Sequence, residues 1–227
     1  GSMWLSFNVS GLRPVLLHPE TGESEAVSFR MRDGRTQVKL DLGEKDAVFV
    51  LFDEPTIVRR FILPERRVCG SLSVDGAWTV SFQQGRGAPE SIQLAALESL
   101  SDNSEPGVKY FSGTSSYSNN FEIEDMRADS RYVLCLGRVC SMARVRVNGV
   151  DCGLAWKNPF DVDVTSALRP GVNTLEIEVT NGWINRLIGD AQPGSDPITW
   201  AEAYRVSADD PLHPSGLLGP VILQELR

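Results

Sequence analysis

The sequence predicts an all-β protein: a small N-terminal β-sandwich-like unit followed by a larger β-sandwich of the jelly-roll kind. Three observations carry that prediction. Apolar residues recur with a period of two rather than 3.6. Turn-forming residues fall between the alternating runs. The chain has 227 residues, 41% of them hydrophobic, which suffices for one large domain or two small ones with real cores.

Thr36-Gln37-Val38-Lys39-Leu40-Asp41-Leu42 alternates with Val38, Leu40 and Leu42 on one face, as in an antiparallel strand with one wet side. Ala143-Arg144-Val145-Arg146-Val147 and Asn173-Thr174-Leu175-Glu176-Ile177-Glu178-Val179 follow the same rule. Ala47-Val48-Phe49-Val50-Leu51-Phe52 is apolar on both faces and predicts a strand covered on both sides, the second cover coming from a preceding domain. Turns are expected at Pro19-Glu20-Thr21-Gly22, Asp33-Gly34, Asp75-Gly76 and Arg169-Pro170-Gly171. Asn148-Gly149 predicts a type I′ hairpin, because both central residues of that turn need positive φ. Two segments predict brief helices. One is Ile92 to Leu100, with helical spacing at Ile92, Ala96, Leu97 and Leu100; the other opens with Asp196 as N-cap and Pro197 in the first turn and runs toward Glu202. Residues 1–54 then read as a small β unit closing a preceding β domain, 55–68 as a connecting strand, and 69–227 as a jelly roll of about eight strands.

Thirty acidic residues against twenty-two basic ones leave a net charge of -8, a field that repels nucleic acid. No apolar run approaches the roughly twenty residues that span a bilayer. Gly1-Ser2-Met3 reads as a cloning remnant, so the natural start is expected elsewhere. Arg59, Arg60, Arg66 and Arg67 surround Glu65; a solvated linker strand is the favoured reading and an acidic glycan or neighbour the other. Cys69, Cys135, Cys140 and Cys152 form no C-x-x-C pair and His18 and His213 are isolated, which argues against zinc. Cys135 and Cys140 would bridge only if their Cα atoms met; buried free thiols are preferred.

Catalytic templates fail: the sequence has no G-x-S-x-G elbow, P-loop, H-E-x-x-H or dinucleotide fingerprint. Paired carboxylates drawn from Asp161, Asp163, Asp190 and Glu202 would hydrolyse a glycoside only at the right separation, and no catalytic residue is assigned. The richest stretch holds Trp156, Asn158, Trp183, Asn185, Arg186, Asp190, Trp200 and Tyr204. Aromatic faces with amides, carboxylates and Arg suit the C–H faces and hydroxyls of sugars. The alternative has Trp156 and Trp183 in the core and Arg186 and Asp190 as a fixed pair holding a long loop. Asp163 with Thr165 would cap a helical turn or supply oxygens to a structural calcium ion; the metal stays unassigned and no other cofactor is expected.

Gly107-Val108-Lys109-Tyr110-Phe111-Ser112-Gly113-Thr114, Tyr117 and Phe121 open a longer pattern. It continues through Leu136-Gly137-Arg138-Val139, Val147-Asn148-Gly149, Gly153, Trp156, Pro159-Phe160 and Asp163-Val164-Thr165. Leu168, Gly171, Asn173, Leu175, Ile177, Val179, Asn181, Trp183 and the run Asn185 to Asp190 follow, and Pro214-Ser215-Gly216-Leu217-Leu218-Gly219-Pro220-Val221 closes it. From about residue 70 onward this resembles the C-terminal domain of family 106 glycoside hydrolases, the α-L-rhamnosidase-type enzymes of gut Bacteroidetes. That domain is similar to the galactose-binding-like jelly roll of family 2 glycosidases. His18-Pro19-Glu20-Thr21-Gly22 resembles the family's element in the preceding β domain, with His where Asp is more usual. The resemblance implies that catalysis belongs to a barrel upstream. These residues would then form a non-catalytic accessory piece of a periplasmic or cell-surface glycan-degrading enzyme, partnered by a glycan or by that barrel.

Overall fold

A computed structural model describes residues 1–201 and 206–227. The chain divides into two compact units, Gly1–Arg66 and Arg67–Arg227. No helix among the described residues is long and apolar enough to cross a membrane.

The first unit contains β1 (Ser2–Phe7), β2 (Leu12–Leu17), β3 (Ser24–Ala26), β4 (Phe29–Arg32), β5 (Arg35–Asp41), β6 (Phe49–Pro55) and β7 (Arg60–Phe61). They form two antiparallel sheets, ordered β1-β5-β4-β7 and β3-β2-β6. The alternation in β5 buries Thr36, Val38 and Leu40, which join Leu16, Val27 and Phe29 in the core. Phe7 of β1 and Phe52 of β6 meet across it with ring centroids 5.3 Å apart. Within this chain one face of residues 49–52 is covered. Val50 and Phe52 turn toward the core, while Phe49 and Leu51 remain 62% and 47% exposed. The apolar outer rows continue across the register, where Phe49 faces Leu17 and Leu51 faces Val15.

The second unit is a β-sandwich. Its strands are β8 (Val68–Ser73), β9 (Trp78–Phe82), β10 (Ser91–Leu94), β11 (Thr114–Ile123), β12 (Arg131–Cys135), β13 (Arg138–Cys140), β14 (Met142–Val147), β15 (Val150–Ala155), β16 (Asp161–Asp163), β17 (Gly171–Thr180), β18 (Gly216–Gly219) and β19 (Ile222–Leu226). Two short helices accompany them, α1 (Pro106–Lys109) and α2 (Ile184–Asp190). A six-stranded sheet, β10-β9-β11-β17-β14-β15, and a four-stranded sheet, β16-β12-β19-β8, supply most of the core, and β13 pairs with β18. Leu175, Ile177 and Val179 of β17 and Val145 and Val147 of β14 share that core with Leu134 of β12 and Leu223 of β19. Each such side chain contributes about 1.5–3 kcal/mol on burial.

Asn148 (φ 52°) and Gly149 (φ 79°) make the expected turn between β14 and β15. The Asn148 amide also donates to Ala167 O and Asn173 Oδ1, both at 2.8 Å, tying the hairpin to β17. Both helix expectations fail. Ser91–Leu94 pairs with β9, because ladder bonds and the burial of Leu94 against Trp78 favour a strand there. Only Leu100–Asp102 curls, as a 3₁₀ turn. Residues 196–201 form no helix: the Asp190 carboxylate takes both the amide (2.9 Å) and the hydroxyl of Thr199, groups that a helix would use otherwise.

All four cysteines are free. Cys135 and Cys140, expected as buried free thiols, are free but only half-buried; Cys152 is half-buried and Cys69 exposed.

Candidate functional site

The register of the large sheet gathers one set of loops. Phe82 at the end of β9 lies opposite Ser115, and Thr180 at the end of β17 lies opposite Thr114. The chain therefore leaves β9 and β17 at the edge where β11 begins. Asn181 organises that edge: its carbonyl accepts from Gly113 N (2.8 Å), and its amide donates to Phe111 O (2.8 Å) and Ser215 Oγ (2.6 Å). Ser112 Oγ donates to Gly182 O at 2.8 Å. One residue into α2, Asn185 is buried; it donates to His213 O (2.7 Å) and accepts from His213 N (2.8 Å), stapling the loop before β18 to the helix.

Between these loops lies a cavity of about 670 Å³, bounded by Arg86, Trp183, Ile184, Leu187, Ile198, Trp200 and His213, among others. That volume falls within the roughly 300–1,000 Å³ typical of small-ligand clefts. Trp183 and Trp200 present exposed indoles, 52% and 82% accessible. The Arg86 guanidinium stacks 5.0 Å from the Trp183 ring centroid, an arrangement worth about 0.5–1 kcal/mol at an accessible position.

Below the cavity, Arg186 and Asp190 form a buried pair, with Nη2 2.9 Å from Oδ1 and side chains 10% and 8% exposed. Arg186 Nε and Asp190 Oδ1 have no hydrogen-bond partner among the described residues. The other Asp190 oxygen holds Thr199, so the pair fixes the residue beside Trp200.

The structure thus brings Trp183 and Trp200 to one cavity and puts Asn185, Arg186 and Asp190 beneath it as supports. Trp156 is 43% exposed, stacked by Lys157 at 5.2 Å from its ring centroid, and neither it nor exposed Asn158 lines the cavity. Trp156 and Trp183 are therefore not core residues. Tyr204 and Glu202 lie outside the described residues. Arg86 and His213, which sequence spacing did not single out, complete the wall. Both lie far from Trp183 in sequence, and only the strand register and the Asn185 staple bring them near.

Of the other candidate carboxylates within the described residues, Asp163 has structural partners. Asp163 Oδ1 accepts from the Thr165 amide (2.9 Å) and hydroxyl (2.6 Å), and its Oδ2 accepts from Arg131 Nε (2.6 Å). Burial opposes ionisation, but the Thr165 bonds and then Arg131 outweigh it and hold the carboxyl below its ordinary value. The turn at residues 165–167 is thus the capped one. Asp161 lies opposite Cys135 in the β16–β12 register. Among the described residues no three His, Cys, Asp or Glu side chains converge as a metal site would need.

The second unit has the fold of a galactose-binding-like β-sandwich, and residues 99–207 match the model of the glycosyl hydrolase 2 galactose-binding domain-like family. The whole chain is similar to a rhamnosidase structure from Novosphingobium sp. PP1Y, with 48% identity, a TM-score of 0.92, and coverage of 99% of this chain and 21% of that one. A Formosa agariphila protein named for a beta-glucuronidase is 33% identical over 177 residues, 66% of this chain and 15% of its own length. A Ruminococcus gnavus beta-glucuronidase structure, at 18% identity and a TM-score of 0.52, shares the fold over 73% of this chain and 30% of its own. The chain thus spans 15–30% of these relatives, all of them named as glycoside hydrolases.

Proposed function

We propose that this chain is the non-catalytic, carbohydrate-binding portion of a longer glycoside hydrolase of the α-L-rhamnosidase type, family 106, acting on rhamnose-containing glycans. The observation that carries the reading is the cavity with two accessible indoles, Trp183 and Trp200, on a rigid hydrogen-bonded loop framework. Indole faces take the C–H faces of a pyranose, while Arg86, Thr199 and His213 offer polar groups to its hydroxyls. The likeness to the Novosphingobium rhamnosidase over 99% of the chain supports the parent's class. The reading assigns bond cleavage to the remainder of that parent, in the bacterial periplasm or at the cell surface.

Calorimetry against rhamnogalacturonan, arabinogalactan and free rhamnose tests it. Saturable binding that disappears in Trp183→Ala and Trp200→Ala, with circular dichroism unchanged, is the expected result. Silence across the panel at millimolar ligand rejects a sugar site here.

A second reading, a module that braces a catalytic barrel of the same polypeptide, is favoured by the open apolar rows around Phe49 and Leu51. It predicts that Phe49→Ser with Leu51→Ser leaves the isolated chain folded while lowering the thermal stability of the full-length parent.

A further inference from the structure

The charge lining the cavity is opposite to that of the molecule. The chain carries -8 overall, yet the ionisable groups among the described residues of the cavity wall are Arg86 and His213, with no carboxylate. Asp190, in the helix that contributes Leu187 to the wall, is turned to Arg186 and Thr199. Arg86 is half-buried. Its guanidinium lies over the Trp183 ring, a contact that uses none of its five N–H donors, and no hydrogen bond from them is made to the described residues.

From this we propose that the cavity selects an acidic sugar, a uronic acid residue, with the pyranose ring on the indoles and its carboxylate on the Arg86 guanidinium. The proposal rests on the carbohydrate-binding reading above and names the class of sugar. Three pieces of chemistry converge on it. A pyranose needs an apolar face, and Trp183 with Trp200 supplies it. A carboxylate needs a planar fork, and guanidinium matches it in bidentate fashion. An anion approaching a protein of net charge -8 needs a local cation to offset the unfavourable field, and the stacked Arg86 is placed in the wall to do so. A neutral sugar would use the N–H donors of Arg86 but not its charge, which no carboxylate among the described residues of the wall offsets.

The test uses the whole chain and calorimetry with three probes that differ at one carbon: methyl β-glucuronide, its neutral amide, and methyl β-glucoside; galacturonic acid with galactose repeats the comparison for the other epimer. The uronates are expected to bind at least tenfold tighter than their neutral counterparts at low salt. That preference is expected to fall to about one in Arg86→Gln, and to recover in part in Arg86→Lys, which keeps the charge and loses the fork. Equal binding of acid, amide and neutral sugar overturns the uronate proposal and leaves the carbohydrate reading standing. A uronate preference that survives Arg86→Gln also overturns it. Absence of binding by every probe, together with silence toward rhamnogalacturonan, arabinogalactan and rhamnose, rejects both readings.

Discussion

Asp190→Ala should be among the most damaging single substitutions in the second unit. The carboxylate faces Arg186 at 2.9 Å, with the two side chains only 8% and 10% exposed. Truncating it leaves a buried guanidinium without its counter-charge, at a cost of about 3–5 kcal/mol. It also frees the amide and hydroxyl of Thr199. Urea unfolding followed by tryptophan fluorescence reads the loss directly. Asp190→Asn, which keeps an oxygen for Thr199 but drops the charge, should fall between wild type and Asp190→Ala. The double variant Arg186→Met with Asp190→Leu should recover most of the stability, because apolar replacement of both partners removes the desolvation cost along with the attraction. A loss below about 1 kcal/mol for Asp190→Ala would refute the reasoning, since a buried and unpaired Arg186 cannot be that cheap.

Three other perturbations have worked-out outcomes. Burial pushes the Tyr117 phenol up from 10.0 to about 12, against bonds to Leu217 and Ser115. Its stabilising contribution is full below about pH 10 and is lost as pH rises toward about 12, roughly 3 kcal/mol in all, and Tyr117→Phe should flatten that loss in alkaline unfolding curves. Burial, then the Asp161 carboxylate, push the Cys135 thiol up to about 12, so near pH 8 Ellman's reagent should label exposed Cys69 well before Cys135, as peptide mass spectrometry would show. Gly137 (φ +64°) approaches the Gly219 backbone so closely that a Cβ has no room; Gly137→Ala should cost more than about 2 kcal/mol in thermal unfolding.

The strands were legible where one face is buried and the other wet. Val38 and Leu40 in β5 and Leu175, Ile177 and Val179 in β17 alternate in sequence as they do in burial. Asn148-Gly149 was legible because one turn type demands those φ values. Ile92 to Leu100 misled because helical spacing over so short a run competes poorly with ladder bonds to β9. The Asp196 segment misled because its local capping chemistry is overridden by a tertiary partner, Asp190. Of the site, the exposed tryptophans were recognisable as residue types suited to sugar. Their grouping was not legible, since Trp156 resembles Trp183 in sequence yet lies outside the cavity wall. Arg86 and His213 reach that wall only through the sheet register and the Asn185 staple, which no local pattern encodes.

The most direct test of the central claim is a crystal structure of this chain with a saturating oligosaccharide identified by calorimetry. The account predicts a sugar ring packed on the Trp183 and Trp200 indoles, within hydrogen-bond reach of Arg86. Sugar density confined to another surface, such as that beside Trp156, or no density under saturation, would contradict it.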